Sequence, residues 1–175
     1  MSELQRYLMQ PWANRPVEEA NLFNPAFSAT LMTKTVGDFT KKAAGRQMPF
    51  ILVFLVLPII MHRGTRKALP GSTVTALLPW LQENREQLVD FPARVRRLKP
   101  FSQEAVMFGV GCGALVLADG GGLLVGTKKV STTERKTELF TLEARECVDR
   151  AAFLGRWLAA AGTAATILAA WGVSP

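Results

Sequence analysis

The longest uninterrupted apolar stretch of the chain is residues 48–61, MPFILVFLVLPIIM, and basic residues lie on both sides of it. A helix that spans a bilayer needs about 20 apolar residues, whereas a run of about 10 to 14 is more typical of a buried core element. Pro58 removes a backbone donor, which packed neighbours accommodate better than lipid does. The pattern predicts a core segment, with a short helix over residues 49–57 and a second turn from Pro58. Association with a membrane is the alternative.

An amphipathic helix is predicted ahead of this run. Asn24 followed by Pro25 is a strong helix start, because Asn accepts hydrogen bonds from free amides and Pro loses a donor that has no partner there. Gly45 is suited to the left-handed conformation that ends a helix. We expect a helix over residues 25–44 whose apolar stripe covers residues 48–61. The stripe recurs every four positions, at Phe27, Leu31, Thr35, Phe39 and Ala43.

Three helices are predicted between residues 73 and 113. Thr73 or Thr75 can cap the first, which carries Leu77, Leu78, Trp80 and Leu81. The second runs over residues 82–98 with a kink at Pro92. Residues 99–101 break the pattern, and Ser102 is a good cap for a third helix, which glycines at 109, 111 and 113 end early.

A β-hairpin is predicted next, because two apolar runs, residues 115–117 and 123–125, flank the turn sequence ADGGG. A phosphate-binding loop would need the spacing GxxxxGK[ST] opening into a helix, which is not found here. Three helices followed by a hairpin is the order of elements in a winged helix-turn-helix domain. The third helix, however, carries no Arg, Lys or Asn to read a base edge, so sequence-specific readout is not expected.

The C-terminal region is predicted to contain two helices. Thr141 caps the first, in which Cys147 falls on the apolar face as a small core residue, and Gly162 ends it. The second covers residues 164–170. Residues 157–171 carry no charged side chain, so we expect this segment to dock a partner, although both tryptophans could instead fill the core. The docking candidates are Trp157, Ile167, Leu168 and Trp171.

The formal charge of +7 favours acidic partners or nucleic acid. The cluster at residues 94–99 could contact phosphates, or it could compensate the dipole at the end of the predicted second helix. We interpret six residues as candidates for contact with DNA phosphates or with an acidic partner: Arg94, Arg96, Arg97, Lys99, Lys128 and Lys129.

Enzymatic chemistry has little support in the sequence. Cys112 and Cys147 are far apart, and His62 is the only histidine, so we expect no metal site and no cofactor. His62 is interpreted as a structural or capping residue rather than a general base, since no catalytic partner stands near it in the sequence. The first residues lack the pattern of a signal peptide, so a cytoplasmic protein is expected.

Several phrases resemble a known family when they are taken in order: FNPA at 23–26, FLVLP at 54–58, RKALP at 66–70, WLQENRE at 80–86, FLGRWLAAAG at 153–162 and the closing WGVSP. Together they resemble the middle component of three-component ABC systems, and in particular the small subunit of Lamassu-type defence complexes. Each phrase is short, but the resemblance covers nearly all of the chain from Leu22 onward. Pro79 and Pro92 depart from the helix-compatible residues expected of the family.

The resemblance implies a non-enzymatic adaptor that sits beside an SMC-like ABC ATPase in bacterial defence against phage or plasmid DNA. The partners would be the ATPase, an effector that could be a nuclease, and DNA bound non-specifically through the complex. A free-standing winged-helix DNA-binding regulator is the alternative. The expected fold is mostly α with a short β-hairpin: an irregular arm over 1–23, a helical core over 24–130 with a winged-helix-like segment at about 73–126, and a docking segment over 131–175, in a single compact domain.

Overall fold

A computed structural model of the chain describes residue 16, residues 23–130 and residues 141–174. The predicted arm therefore lies almost wholly outside the described residues, as do residues 131–140. The described elements are α1 (Pro25–Lys42), β1 (Met48–Pro49), α2 (Val56–Ile60), α3 (Arg63–Ala68), α4 (Leu77–Glu83), α5 (Phe91–Gly111), β2 (Leu115–Leu117), β3 (Gly122–Val125), α6 (Leu142–Ala160) and α7 (Ala164–Ala170), with 3₁₀ helices at Phe50–Leu55 and Arg85–Leu88.

Helix α1 begins as predicted. The Asn24 side chain accepts from the amides of Ala26 and Phe27 at 2.9 and 3.3 Å. The helix ends at Lys42, two residues earlier than predicted, and Ala44 and Gly45 then take positive φ values of 52° and 90°.

The buried stripe of α1 packs chiefly against α6 and next against α5, so the prediction that it mainly covers residues 48–61 was wrong. Thr35 Oγ1 donates to the carbonyl of Ala151 at 3.1 Å, which joins the two helices directly. The helices approach this closely because position 155 is glycine, and a Cβ there would collide with the Thr35 carbonyl.

Residues 48–61 form the centre of the core, as predicted, and all side chains from Leu55 to Ile60 are buried. Their secondary structure differs from the prediction. Met48–Pro49 is a short strand, Phe50–Leu55 is a 3₁₀ helix, and only Val56–Ile60 is α-helical. Pro58 does not break the segment, because it lies in the first turn of α2, where a missing amide costs no helical hydrogen bond.

The predicted hairpin is confirmed, with Leu115 opposite Val125 and Leu117 opposite Leu123. Its turn places Gly121 at φ 74°, a conformation that favours glycine. The sheet has a third strand that the sequence pattern did not predict: β1 pairs antiparallel with β3, and Met48 lies opposite Leu123. The strand order is β1-β3-β2.

The last part of the predicted second helix, from Phe91 onward, and the predicted third helix form one continuous helix, α5. The first part of the predicted second helix was wrong, because α4 ends at Glu83 and Arg85–Leu88 is a separate 3₁₀ helix. The predicted break at residues 99–101 was wrong, because Pro100 lies inside the helix and the surrounding turns continue through it. Pro92 is not a kink either: it lies at the start of α5, where proline is well tolerated. Ser102 is a buried interior residue and not a cap.

The first of the three predicted helices is α4, and it begins after Ala76, so neither Thr73 nor Thr75 caps it. With two of the three predicted helices merged into α5, the winged-helix-like core is not confirmed. The described residues are mostly helical, with a small three-stranded antiparallel sheet.

The C-terminal helices are confirmed. Thr141 Oγ1 accepts from the amide of Ala144 at 3.1 Å, and Cys147 is buried. Gly162, just after the end of α6, has φ 107°. Within the described residues, no single helix is long and apolar enough to cross a membrane. Helices α6 and α7 reach that length and composition only as a pair, and they are bent by 115° relative to each other.

Candidate functional site

The six predicted phosphate contacts fall into two groups at opposite ends of α5. Four of them lie in its first half, and Lys128 and Lys129 lie beside its C-terminal end, where the Lys128 amide donates to the Gly113 carbonyl at 3.0 Å. From Lys99 to the end of α5 at Gly111 the helix rises about 18 Å, so the two groups lie apart along the helix.

The dipole interpretation of the cluster at residues 94–99 was wrong. These residues begin a helix rather than end one, so the dipole opposes their charge instead of balancing it. Arg96, Arg97 and Lys99 are exposed. Their charge is therefore presented to solvent without compensation from the helix end.

Arg94 behaves differently, because it is half-buried at the corner between α2, α3 and α5. Its guanidinium donates to Thr65 Oγ1 at 3.1 Å and to the Pro58 carbonyl at 3.3 Å. Burial, and then the neighbouring charge of Arg97, lower the pKa of Arg94. Arg94 therefore has a structural role as well as a charge.

His62 is a capping residue, as predicted. Its Nδ1 accepts from the amide of Thr65 at 3.1 Å at the start of α3. Burial lowers the pKa of His62, and the positive charges of Arg94 and Arg66 lower it further. The ring is thus held in the neutral form that the cap requires.

Arg66 is a buried cation that the sequence did not reveal. It is 1% exposed and donates to the Ile60 carbonyl at 2.8 Å and to Glu143 Oε1 at 2.7 Å, while Glu146 Oε2 lies at 3.4 Å. Desolvation acts to lower the pKa of Arg66, but the hydrogen bond to Glu143 and nearby negative charge raise it overall. The same hydrogen bond is the main cause that lowers the pKa of Glu143. This cluster joins α6 to the α2–α3 corner.

The four predicted docking side chains lie inside the core. Trp157 and Trp171 are 1% and 0% exposed, and Ile167 and Leu168 are also buried. Trp171 stacks on Phe91 with ring centroids 4.3 Å apart, and the Trp157 indole donates to the Thr75 carbonyl at 2.7 Å. The placement agrees with the alternative in which both tryptophans fill the core. Docking by residues 141–175 stays a prediction, and it would have to use other side chains of the segment.

A groove, called the α1 groove below, runs along the outward face of α1. It consists of three adjoining cavities of about 610, 280 and 520 Å³. The first two share Ala26 and Phe108, and the last two share Thr30 and Lys129. Since a helix rises about 1.5 Å per residue, the stretch of α1 from Ala26 to Lys41 makes the groove about 22 Å long.

The walls of the α1 groove are apolar and partly exposed. Met107 and Phe108, on the last turns of α5, are 73% and 46% exposed. Val125 of β3 is 44% exposed and packs against Gly37 of α1. The other apolar residues of the lining are Pro25, Ala26, Ala29, Ala114, Leu124 and Val130.

The charges along the α1 groove are predominantly positive. Four lysines line it: Lys34, Lys41, Lys128 and Lys129. The lining carboxylates are Glu104 and Asp38, and Asp38 is already engaged by Lys34 at 3.1 Å and by Arg156 at 2.6 Å. The sequence analysis missed Lys34 and Lys41, although their spacing of seven residues places them on one face of a helix.

Two hydroxyls beside the groove have no hydrogen-bond partner in the part of the chain that the structure describes. They are Thr33 Oγ1 and Thr40 Oγ1, both of which are buried atoms, and both threonines line the third cavity. Buried hydroxyls are normally satisfied, so this face of α1 has unused hydrogen-bonding capacity.

No group of three or more His, Cys, Asp or Glu side chains that could hold a metal ion occurs within residues 23–130 and 141–174. The described residues form two surfaces suited to binding: a basic surface in the first half of α5 and an apolar, lysine-rimmed groove at its other end.

Comparison with known protein families gives a match over most of the chain. Residues 12–175 match the family described as ABC-three component (ABC-3C) system Middle Component 3, which confirms the resemblance to the middle component of three-component ABC systems. No curated protein and no solved structure matches the chain. The match covers almost the whole sequence, and the chain therefore belongs to the Middle Component 3 family of ABC-three component systems.

Proposed function

We propose that this chain is a non-enzymatic adaptor subunit that links an SMC-like ABC ATPase to an effector in a bacterial defence complex. Membership of an ABC-three component family supports a role inside a multi-subunit assembly. The finer parts of the proposal are the SMC-like character of the ATPase, an effector such as a nuclease, action against phage or plasmid DNA, the likeness to Lamassu-type complexes, and a cytoplasmic location.

The observation that carries the adaptor role is that α5 has a different exposed surface at each end. Its first half presents Arg96, Arg97 and Lys99, and its last turns present Met107 and Phe108 to the α1 groove. An adaptor must engage two partners at once, and two chemically distinct surfaces separated along one rigid helix meet that requirement.

The basic end is proposed to contact DNA phosphates within the assembled complex. Exposed Arg and Lys side chains are suited to non-specific contact with the DNA phosphate backbone, which does not require hydrogen bonds to base edges. The free-standing regulator is less well supported, because the winged-helix arrangement on which it rested was not confirmed.

Co-expression with the other two components of the same system tests the adaptor role. We expect one complex that contains all three proteins on size-exclusion chromatography, and loss of the ATPase–effector association when this chain is omitted. A symmetric dimer of this chain that binds a defined DNA site and ignores both components would contradict the proposal.

The phosphate contacts are tested on the assembled complex with Arg96→Gln, Arg97→Gln and Lys99→Gln combined. Binding should weaken by a similar factor on DNA of any sequence, and the slope of log K against log salt should fall by about one for each phosphate contact that is lost. Lys42→Gln with Arg85→Gln is the control, since both residues are exposed and lie outside both surfaces. An unchanged slope in the triple variant would show that these residues do not contact DNA.

A further inference from the structure

We infer that the α1 groove is the docking site for an acidic amphipathic segment of another component of the three-component system. This inference deepens the proposed function, on which it rests, by naming the surface and the chemistry of the segment that it receives. The docking side chains expected in the C-terminal helices are buried in the core.

The α1 groove exposes apolar surface at both of its ends. Met107 and Phe108 are adjacent in sequence, so they point in different directions from α5, and both are nevertheless exposed and line the same cavity. Val125 adds apolar surface at the far end. Contiguous apolar surface on a small domain commonly marks an interaction site.

The charge of the groove selects an acidic partner. Lys41, Lys128 and Lys129 are exposed along the groove, and the carboxylate of Asp38 is occupied by Lys34 and Arg156. A segment with Asp or Glu beside its apolar anchors would pair with these lysines. A basic or purely apolar segment would leave their charges uncompensated.

The shape of the groove suits a helix. The groove is open, elongated and about 22 Å long, which fits roughly four turns of helix laid along α1. Peptide grooves of this kind receive apolar anchors spaced along one face of a helix. A compact small molecule would occupy only one of the three cavities.

The unpartnered hydroxyls of Thr33 and Thr40 also support a binding role for the groove. Both threonines line the third cavity, and they are seven residues apart on α1, so they lie on the same side of the helix, two turns apart.

Zero-length carbodiimide cross-linking of the assembled three-component complex gives a direct test, because it joins lysine amines to carboxylates that are already in contact. We expect Lys41 and Lys129 to be linked to Asp or Glu of another component, clustered within a stretch of about 15 residues. Lys42, which is exposed and lies outside the groove, serves as the internal control and should stay unlinked.

Affinity measurements with two kinds of variant complete the test. Lys41→Glu with Lys129→Glu, and separately Met107→Asp, should each weaken binding of the linked component about tenfold or more. The matched controls are Lys42→Glu with Arg85→Glu for charge, and Val89→Asp for an exposed apolar residue; these should change the affinity less than about twofold. Thermal unfolding of each isolated variant checks that it folds, and Lys129→Glu alone replaces the double variant if that one does not.

The outcomes are distinguishable. If the unmodified chain does not associate with the other components, both the adaptor role and the groove inference are overturned. If it associates but the groove variants bind as tightly as their controls, only the groove inference is overturned. Links to a second copy of this chain, or variants that change only the affinity for DNA, would also overturn it.

Discussion

The two faces of α1 meet very different surroundings. One face packs against α6 so closely that the Thr35 hydroxyl bonds to the Ala151 carbonyl and only glycine fits at position 155. The other face lines an open groove rimmed by lysines and partly exposed apolar residues. The first face belongs to the folding of this chain, and the described residues leave the second open.

The comparison teaches that apolar composition alone does not locate an interface. The uncharged C-terminal segment is used internally, because Trp157 and Trp171 complete a cluster of aromatic rings with Trp80 and Phe91. Exposed apolar residues lie instead on the last turns of α5, at Met107, Phe108 and Val110, and on strands β2 and β3.

The largest effect is expected for Trp171→Ala. Trp171 is fully buried against Phe91, so its truncation should lower the free energy of unfolding by about 3–5 kcal/mol. Met107→Ala, on the groove side, should change it by less than about 0.5 kcal/mol. Urea denaturation followed by circular dichroism measures both. Equal losses in the two variants would remove the distinction between the two sides.

The next largest difference is expected between two glycines: Gly155 of α6, which faces the packed side of α1, and Gly37 of α1, which lines the groove. Gly155→Ala drives a Cβ into the backbone carbonyl of Thr35, which cannot move aside, so a loss of about 1–3 kcal/mol is expected. Gly37→Ala places its Cβ 3.2 Å from Cγ2 of Val125, a half-exposed side chain that can shift. Because alanine favours a helix, Gly37→Ala should be neutral or slightly stabilising. Thermal denaturation distinguishes the two, and a stable Gly155→Ala variant would contradict the close helix approach.

A smaller difference should separate two changes that remove the same atoms. Trp157→Phe deletes the hydrogen bond to the Thr75 carbonyl, whereas the Trp171 indole N–H has no partner among the described residues. Trp157→Phe should therefore cost about 1 kcal/mol more than Trp171→Phe. Chemical denaturation of the pair tests this, and a greater loss for Trp171→Phe would show that its N–H is satisfied.

The smallest effect is expected from pH at His62. Its pKa in the folded chain lies below the ordinary value of 6.5, so the neutral ring stabilises the fold fully above about pH 6.5. This stabilisation is lost as the pH falls through the lower folded-state value, because the protonated ring cannot accept from the Thr65 amide.

His62→Asn isolates that contribution, since Asn can cap a helix and does not titrate. The variant should lose less stability than the original chain when the pH is lowered from 7.5 to 5.5 in steps during denaturation experiments, with a difference of a few tenths of a kcal/mol. Parallel pH profiles for the two proteins would show that the His62 cap does not titrate in this range.

Features set by neighbouring residues were predictable from the sequence. Asn24 and Thr141 cap their helices, and the glycines after Asp119 form the hairpin turn, because each interaction closes within a few residues. The proline at position 100 was misread, since tertiary packing holds the turns on either side of it together and makes up for one lost hydrogen bond.

Features that join distant segments were not predictable. Strand β1 finds its partner in the hairpin, with Met48 opposite Leu123, and Arg66 finds Glu143 at a separation of 77 residues. The α1 groove depends on the relative placement of α1, α5 and β3. Lys34 and Lys41 therefore appeared in the sequence only as the polar face of a helix, and Lys128 and Lys129 only as candidates for contact with phosphates or an acidic partner. A local sequence pattern does not show which polar helix face will line a groove.

The contact between α1 and α6 has a consequence for synthesis of the chain. Thr35 and Ala151 are separated by 116 residues, so α1 cannot cover its buried stripe until α6 has emerged from the ribosome. During this interval Leu31 and Phe39, and the apolar run that follows them, lack their final neighbours. Exposed apolar surface of this kind makes a nascent chain prone to aggregation. Because α6 is synthesised long after α1, the C-terminal part of the chain completes the core and covers the apolar residues of the N-terminal part.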